Sequence, residues 1–145
     1  MMLVVAMAVP VMAADTVIDG NVVETVEVTA PANFSLGNMS AGATAESGLK
    51  TGTVKANAAW QVTAKDVKET SAGKMVSEAN VLANKMEVSA DNTTYYAADI
   101  GLTYSGSATG ETGSTLNFYA KQQVTFDDVV ATGYTITITF TGSLP

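Results

Sequence analysis

The end of the chain alternates strictly between apolar and hydroxyl side chains over the segment GYTITITFTG at 133–142. One face of this segment carries Tyr134, Ile136, Ile138 and Phe140, and the other carries only threonines. Successive side chains of an extended strand point to opposite sides, so a repeat of two predicts a β-strand with one dry and one wet face. This pattern commits the chain to sheets, which need partner strands elsewhere.

Shorter alternating segments recur along the chain. They lie at 21–30, 59–66, 85–90, 100–104 and 115–120. Breakers rich in Gly, Ser and Asn separate them, including SGSATGETGS at 105–114. This spacing predicts an all-β domain, a single antiparallel two-sheet β-sandwich with Greek-key or jelly-roll-like connections. The one helical candidate, SEANVLANKM at 77–86 with Ser77 as N-cap, stays open against an irregular crossover between the sheets.

The inward faces of these segments give the predicted core. Its members are large and apolar and share the parity of their strand: Trp60, Val62, Met86, Val88, Leu102, Phe118, Tyr134, Ile136, Ile138 and Phe140.

The first residues, 1–14, form an uncharged apolar stretch, MMLVVAMAVPVMAA. It is shorter than the roughly 20 residues that cross a bilayer, and it ends in small residues. These features predict the remnant of a secretory signal without its basic start, although a buried N-terminal strand stays open. Residues 15–145 are then one domain with no membrane span, and the protein is secreted, extracellular or at the cell surface.

The composition removes most catalytic chemistry. The 145 residues include no His and no Cys, and all seven basic residues are Lys. Imidazole bases, thiolate nucleophiles, disulfides and His/Cys zinc sites are therefore excluded. A net charge of −7 without Arg argues against nucleic acid as a partner. We expect no enzymatic activity, with a carboxylate-based hydrolase as a weak alternative.

No metal site or cofactor is expected either. Acidic turns at Asp19, Asp91 and Asp127 could lend oxygen atoms to Ca²⁺, but none supplies the six to eight ligands of a dedicated site. Sequons at Asn33, Asn38 and Asn92 are candidate N-glycosylation sites in an exported chain. Trp60 with nearby tyrosines could stack on a sugar, but its place on an apolar strand face favours the core.

Several stretches resemble a known family: VTAPANFSLG, TGTVKANAAWQVTAKD, GKMVSEANVLANKMEVSA and GYTITITFTGSLP. Together they resemble the WxL-type surface domains, which are secreted β-sandwiches of bacterial cell envelopes. Val62 stands where the namesake motif, here Trp60-Gln61-Val62, has Leu. The resemblance implies an envelope-attached or glycan-binding module, with envelope glycans as partners.

The organisation of the chain is also similar, more loosely, to TasA-type matrix fibre proteins and archaeal bundling pilins. That likeness implies a subunit that gives an N-terminal strand to its neighbour. Residues 15–30 form a strand-like segment that could complete a neighbour's sheet as well as its own. Its predicted polymerisation residues are Val22, Val23, Val26 and Val28. The first hypothesis is thus a structural filament subunit whose partners are copies of itself, and the envelope module is the alternative.

Overall fold

The computed structural model describes residues 15–145, so the predicted signal at 1–14 lies outside the described residues. Within 15–145 all regular structure is β. The strands are β1 Val26–Thr29, β2 Thr44–Glu46, β3 Lys50–Ala56, β4 Trp60–Lys65, β5 Val76–Ser77, β6 Asn80–Val81, β7 Glu87–Ser89, β8 Tyr96–Ala97, β9 Leu102–Gly106, β10 Ser114–Gln123 and β11 Thr139–Ser143. The all-β prediction is confirmed.

The larger sheet is built around β10, its longest strand. The order is β1-β3-β10-β7-β8, and β2 also pairs with β10, giving a six-stranded sheet. All its pairings are antiparallel. Side chains of β10 alternate regularly, so that Leu116, Phe118 and Ala120 are buried while the residues between them face outward. This regular strand carries the centre of the core.

The second sheet has three antiparallel strands in the order β11-β4-β9, and it covers the inner face of the larger sheet. The two sheets meet through side chains such as Phe118 of β10 and Phe140 of β11, whose rings lie edge to face with centroids 5.5 Å apart. The fold is therefore the expected two-sheet sandwich, held by its apolar interior and its ladders.

Burial differs among the predicted core residues. The first six are buried: Trp60, Val62, Met86, Val88, Leu102 and Phe118. The indole N–H of Trp60 donates to the carbonyl of Ser107 over 2.8 Å, so burial leaves this polar atom satisfied. The last four are a correction, because the structure leaves them half-buried: Tyr134, Ile136, Ile138 and Phe140.

The C-terminal strand is also shorter than predicted. Ladder pairing begins only at Thr139, and the residues before it are held by a single bridge between Thr135 and Val76. The physical reason for the half-buried side chains is that, within residues 15–145, no strand pairs with residues 134–138 on their other edge. An alternating pattern requires a covered face, and here the cover is incomplete.

The candidate helix at 77–86 does not form. Two short strands, β5 and β6, make a hairpin around Glu78, whose φ of 53° lies in the left-handed region. The Ser77 hydroxyl donates to the Thr132 carbonyl and does not cap a helix. The irregular alternative is the one the structure contains.

Candidate functional site: an exposed arm and an open groove

The strand registers define two ends of the sandwich. Val26 lies opposite Ala56, and Ser114 lies opposite Val54, so these residues share one end, which we call the arm end. Gln123, at the far end of β10, marks the other end, which we call the groove end. Gly142 lies against Val26 and Val28, so β11 runs from the groove end at Thr139 towards the arm end.

Residues 15–25, which precede β1, form no strand and are exposed. Ile18 and Val22 keep 90% and 92% of their side-chain surface accessible, which is unusual for apolar residues this large. Asn57 fixes the base of this segment, because its side chain accepts from the Thr25 N–H and donates to the Val23 carbonyl. The arm, defined here as residues 15–22, is the part beyond that attachment.

The predicted polymerisation strand is therefore split. Val26 and Val28 belong to β1, which pairs with β3 of the same chain, whereas Val22 and Val23 are exposed. A Cβ placed on Gly142 would lie 2.6 Å from Val28 Cγ2, so β1 packs directly on β11. This contact and the pairing with β3 place Val26 and Val28 within the sandwich of the same chain.

A groove opens between residues 30–37 and 133–138 on the groove-end side of the β1–β11 contact. Its volume is about 750 Å³. The floor consists of core side chains, namely Met75, Met86, Phe118 and Phe140. Phe34 stands on one wall with its ring centroid 6.3 Å from that of Phe118. The groove thus exposes the interior of the sandwich along one edge.

The main chain of both walls is largely without partners. Thr135 exchanges both of its hydrogen bonds with Val76, each over 3.0 Å. Main-chain groups alternate in direction along a strand, so those of Tyr134, Ile136 and Ile138 point the other way, into the groove. On the facing wall, residues 32–36 make no main-chain hydrogen bond to another part of the described chain. These main-chain groups are available to pair with an added strand.

The groove is also electrically neutral. No acidic or basic side chain lines it. The ammonium of Lys50 lies 5.2 Å from the centroid of the Phe34 ring, which forms part of one wall. An extended segment that has one uncharged face and brings its own N–H and C=O groups would match these walls.

A second, more polar cleft of about 520 Å³ lies near the arm end, between β9 and the start of β10. Hydroxyl-bearing residues line much of it, among them Ser105, Ser107 and Ser114. Trp60 offers no free ring face there, because it is 5% exposed and Gly106 lies against its ring. Burial raises the pKa of the neighbouring Tyr104 to about 12, and its hydroxyl donates to the Asn117 carbonyl.

Of the acidic turns, the one at Asp91 is organised by internal hydrogen bonds. Main-chain N–H groups of Thr94 and Thr93 hold the pKa of Asp91 well below its ordinary range. The Lys85 ammonium, at 2.5 Å, lowers the pKa of Asp99. Within residues 15–145 no three acidic side chains come close enough to hold a metal ion, and these carboxylates organise turns.

The three sequon asparagines are exposed. Asn33 lines the groove, and Asn38 follows on the same connecting segment. Asn92 is elsewhere, in the turn before β8, where its side-chain oxygen accepts from the Tyr95 hydroxyl. The sequence did not reveal the wall formed by Phe34 and Leu36, because this segment has no alternating pattern. Its only signal was apolar side chains placed after Pro31.

Comparisons with protein-family models, curated proteins and solved structures give no match to this chain. The resemblances to WxL-type domains and to fibre subunits stay predictions. Across residues 15–145 no helix is long and apolar enough to cross a membrane.

Proposed function

We propose that this protein is a non-catalytic extracellular structural protein, the subunit of a surface filament in which the arm of one copy fills the groove of the next. The proposal rests on one observation: within residues 15–145, the same molecule has an exposed, unpaired arm with one uncharged face and an apolar groove whose edge pairs with no strand. Each lacks what the other supplies, since the groove has unpaired main-chain groups and the arm has no ladder. Strand addition satisfies both.

The positions of the arm and the groove favour a chain of copies over a closed pair. The arm leaves at the arm end, beside Ala56, whereas the groove lies towards the groove end, beside the residues before Thr139. A contact between two different surfaces at opposite ends is heterologous and does not close on itself. It therefore propagates into a fibre.

The subunit's own arm is poorly placed to fill its own groove. It would have to reverse at Val23 to Thr25, where Asn57 holds the chain by two hydrogen bonds. It would then have to pass the point where Gly142 lies against Val28, which leaves no room for another strand. The neighbour's groove presents neither obstacle.

The free energies gained and lost when the arm binds the groove are similar in size. Burying an exposed Val or Ile side chain stabilises by about 1.5–3 kcal/mol, and several main-chain hydrogen bonds would add to that. Ordering the arm costs about 1–2 kcal/mol per residue, which offsets much of this gain. Assembly is then expected to be concentration-dependent, with a dissociation constant that deletion of the arm should raise beyond measurement.

The test is electron microscopy and sedimentation of purified residues 15–145 and of a variant without residues 15–22. We expect filaments from the first and folded monomers from the second. A synthetic peptide of residues 15–22 should bind the monomeric variant and shorten wild-type filaments. Val67→Ser, which changes an exposed apolar residue outside the arm and the groove, is the control and should assemble normally.

The envelope-attached or glycan-binding module is the second candidate. Its support is the polar cleft near the arm end, where hydroxyl groups could bind a sugar. The buried ring of Trp60 leaves that cleft without an aromatic stacking face. A screen of the monomeric variant against cell-wall glycans tests it, and binding that Ser107→Trp abolishes would favour this candidate.

A further inference from the structure

We infer that the bound arm runs antiparallel to residues 134–138 of the accepting subunit, with Thr16, Ile18, Gly20 and Val22 facing the groove floor. This inference rests on the proposed function and specifies the contact by which one copy recognises another. It follows from the direction of the two walls, from the distribution of charge along the arm and from the lengths of the two segments.

The direction follows from where the groove is closed. Packing of β1 on β11 at Gly142 closes it towards the arm end, so a donated strand must enter from the groove end. Val22, next to the donor's body, then lies at the mouth, and Asp15 lies deepest. The arm therefore runs towards the groove end, whereas residues 134–138 run away from it towards Thr139. The two segments are antiparallel.

The inward face follows from the alternation of the arm. In an extended strand the even-numbered residues from 16 to 22 share one face, and that face carries no charge. The odd-numbered face carries Asp15, Val17, Asp19 and Asn21. Because the groove is lined by uncharged residues, placing Asp15 or Asp19 inward would leave a buried carboxylate without a partner. On the outward face these acids remain in solvent.

The lengths agree with this placement. Residues 134–138 span about 17 Å as an extended strand, and residues 15–22 span about 26 Å. The arm can therefore cover the whole wall and still leave a short stretch between the two bodies. Ile18 and Gly20 fall over the middle of the groove in this arrangement.

Cysteine pairs can measure the direction. The chain has no Cys, so introduced thiols are the only ones. Thr135 and Thr137 are exposed and direct their main-chain groups away from the groove, so an arm residue opposite either forms a non-hydrogen-bonded pair. Such pairs have Cα atoms about 4.5 Å apart, which suits a disulfide. Thr135→Cys and Thr137→Cys are each combined with a Cys at Val17, Asp19, Asn21 or Val23.

Under mild oxidation of assembled protein, we expect the preferred arm partner to move to a lower residue number when the wall cysteine moves from position 135 to 137. Movement to a higher number would show a parallel strand and overturn the inferred direction, while the filaments themselves would still support the proposed function. Absence of filaments from the unsubstituted protein would instead reject the proposed function.

Two aspartate substitutions test which face of the arm lies against the groove floor. Ile18→Asp should raise the concentration needed for assembly by at least about tenfold, the equivalent of 1.4 kcal/mol, because it places a charge on the groove floor. Val17→Asp, one residue away and on the outward face, is the matched control and should assemble within about twofold of wild type. Equal loss in both, or greater loss in Val17→Asp, would overturn the inferred face. Both variants should melt like wild type as monomers, since both residues are exposed.

Discussion

At the scale of single residues, Gly142 decides how closely β1 can approach β11. Gly142 has a hydrogen atom where any other residue has a Cβ. A Cβ at that position would lie 2.6 Å from Val28 Cγ2. This role could not be predicted, since Gly142 stands at the end of an ordinary alternating strand. Close packing of two backbones depends on a partner distant in sequence, which local patterns do not reveal.

Gly142→Ala should therefore destabilise the monomer by about 1–3 kcal/mol, the usual cost of overpacking a tight interior. Gly20→Ala is the control, because a Cβ there meets nothing within 4 Å. Urea unfolding of Gly142→Ala in the variant without residues 15–22 measures its free energy of unfolding in the absence of assembly. The stability of Gly20→Ala can be measured in dilute protein that retains residues 15–22. Equal stability of Gly142→Ala and wild type would show that β1 can move away from β11 at no cost.

Trp60 should contribute strongly to the stability of the sandwich. Its indole is buried beside Gly106 and donates to the Ser107 carbonyl. Trp60→Ala should cost about 3–5 kcal/mol, and Trp60→Phe should cost less because it leaves a smaller cavity. Denaturant unfolding checks both values. A red-shifted, readily quenched Trp emission from the folded protein would contradict the burial.

At the scale of elements, the period-two pattern predicted strands well where both neighbours are present. β4 and β10 have partners on both sides and follow the pattern throughout. Residues 134–138 have the clearest alternation in the chain but form only one bridge, because no strand among residues 15–145 pairs with their free edge. The alternating pattern predicts which face of a segment is buried. It does not predict which strand pairs with the segment or packs on that face. The arm, conversely, has too weak a pattern for its exposure to be foreseen.

The turn at 125–128, which leads towards the groove wall, should make stability dependent on pH. Burial alone would raise the pKa of Asp128, but hydrogen bonds from the N–H groups of Thr125 and Ala83 and from the Thr125 hydroxyl hold it below 3.8. A lowered folded pKa stabilises the protein above the unfolded value, and this contribution is lost as the pH falls below 3.8. The melting temperature should therefore fall in that acid range, and Asp128→Asn should flatten the fall.

Melting curves from pH 6 downwards measure this effect in wild type and in Asp128→Asn. Asp19→Asn is the control, since the structure shows no hydrogen-bond partner for this exposed side chain within residues 15–145. If the melting temperature of Asp128→Asn falls with decreasing pH as steeply as that of wild type, the loss of stability comes from other turn carboxylates, such as Asp91.

At the scale of the whole molecule, residues 15–145 form a β-sandwich with a groove along one edge and an exposed arm at the arm end. The β-sandwich itself was predictable from alternation and breakers. The groove was not, because it depends on the contact of β1 with β11 and on the irregular wall at 30–37. The proposed head-to-tail filament would bring the arm and the groove together between copies.

The most direct measurement mixes two variants that each keep one half of the contact. The variant without residues 15–22 keeps the groove, and Ile136→Arg keeps the arm but places a charge on the groove wall. Each alone should remain monomeric, and the mixture should form a one-to-one heterodimer by sedimentation, with no longer species. Filaments from either variant alone, or a mixture that stays monomeric at concentrations where the unsubstituted protein polymerises, would contradict assembly through the arm and the groove.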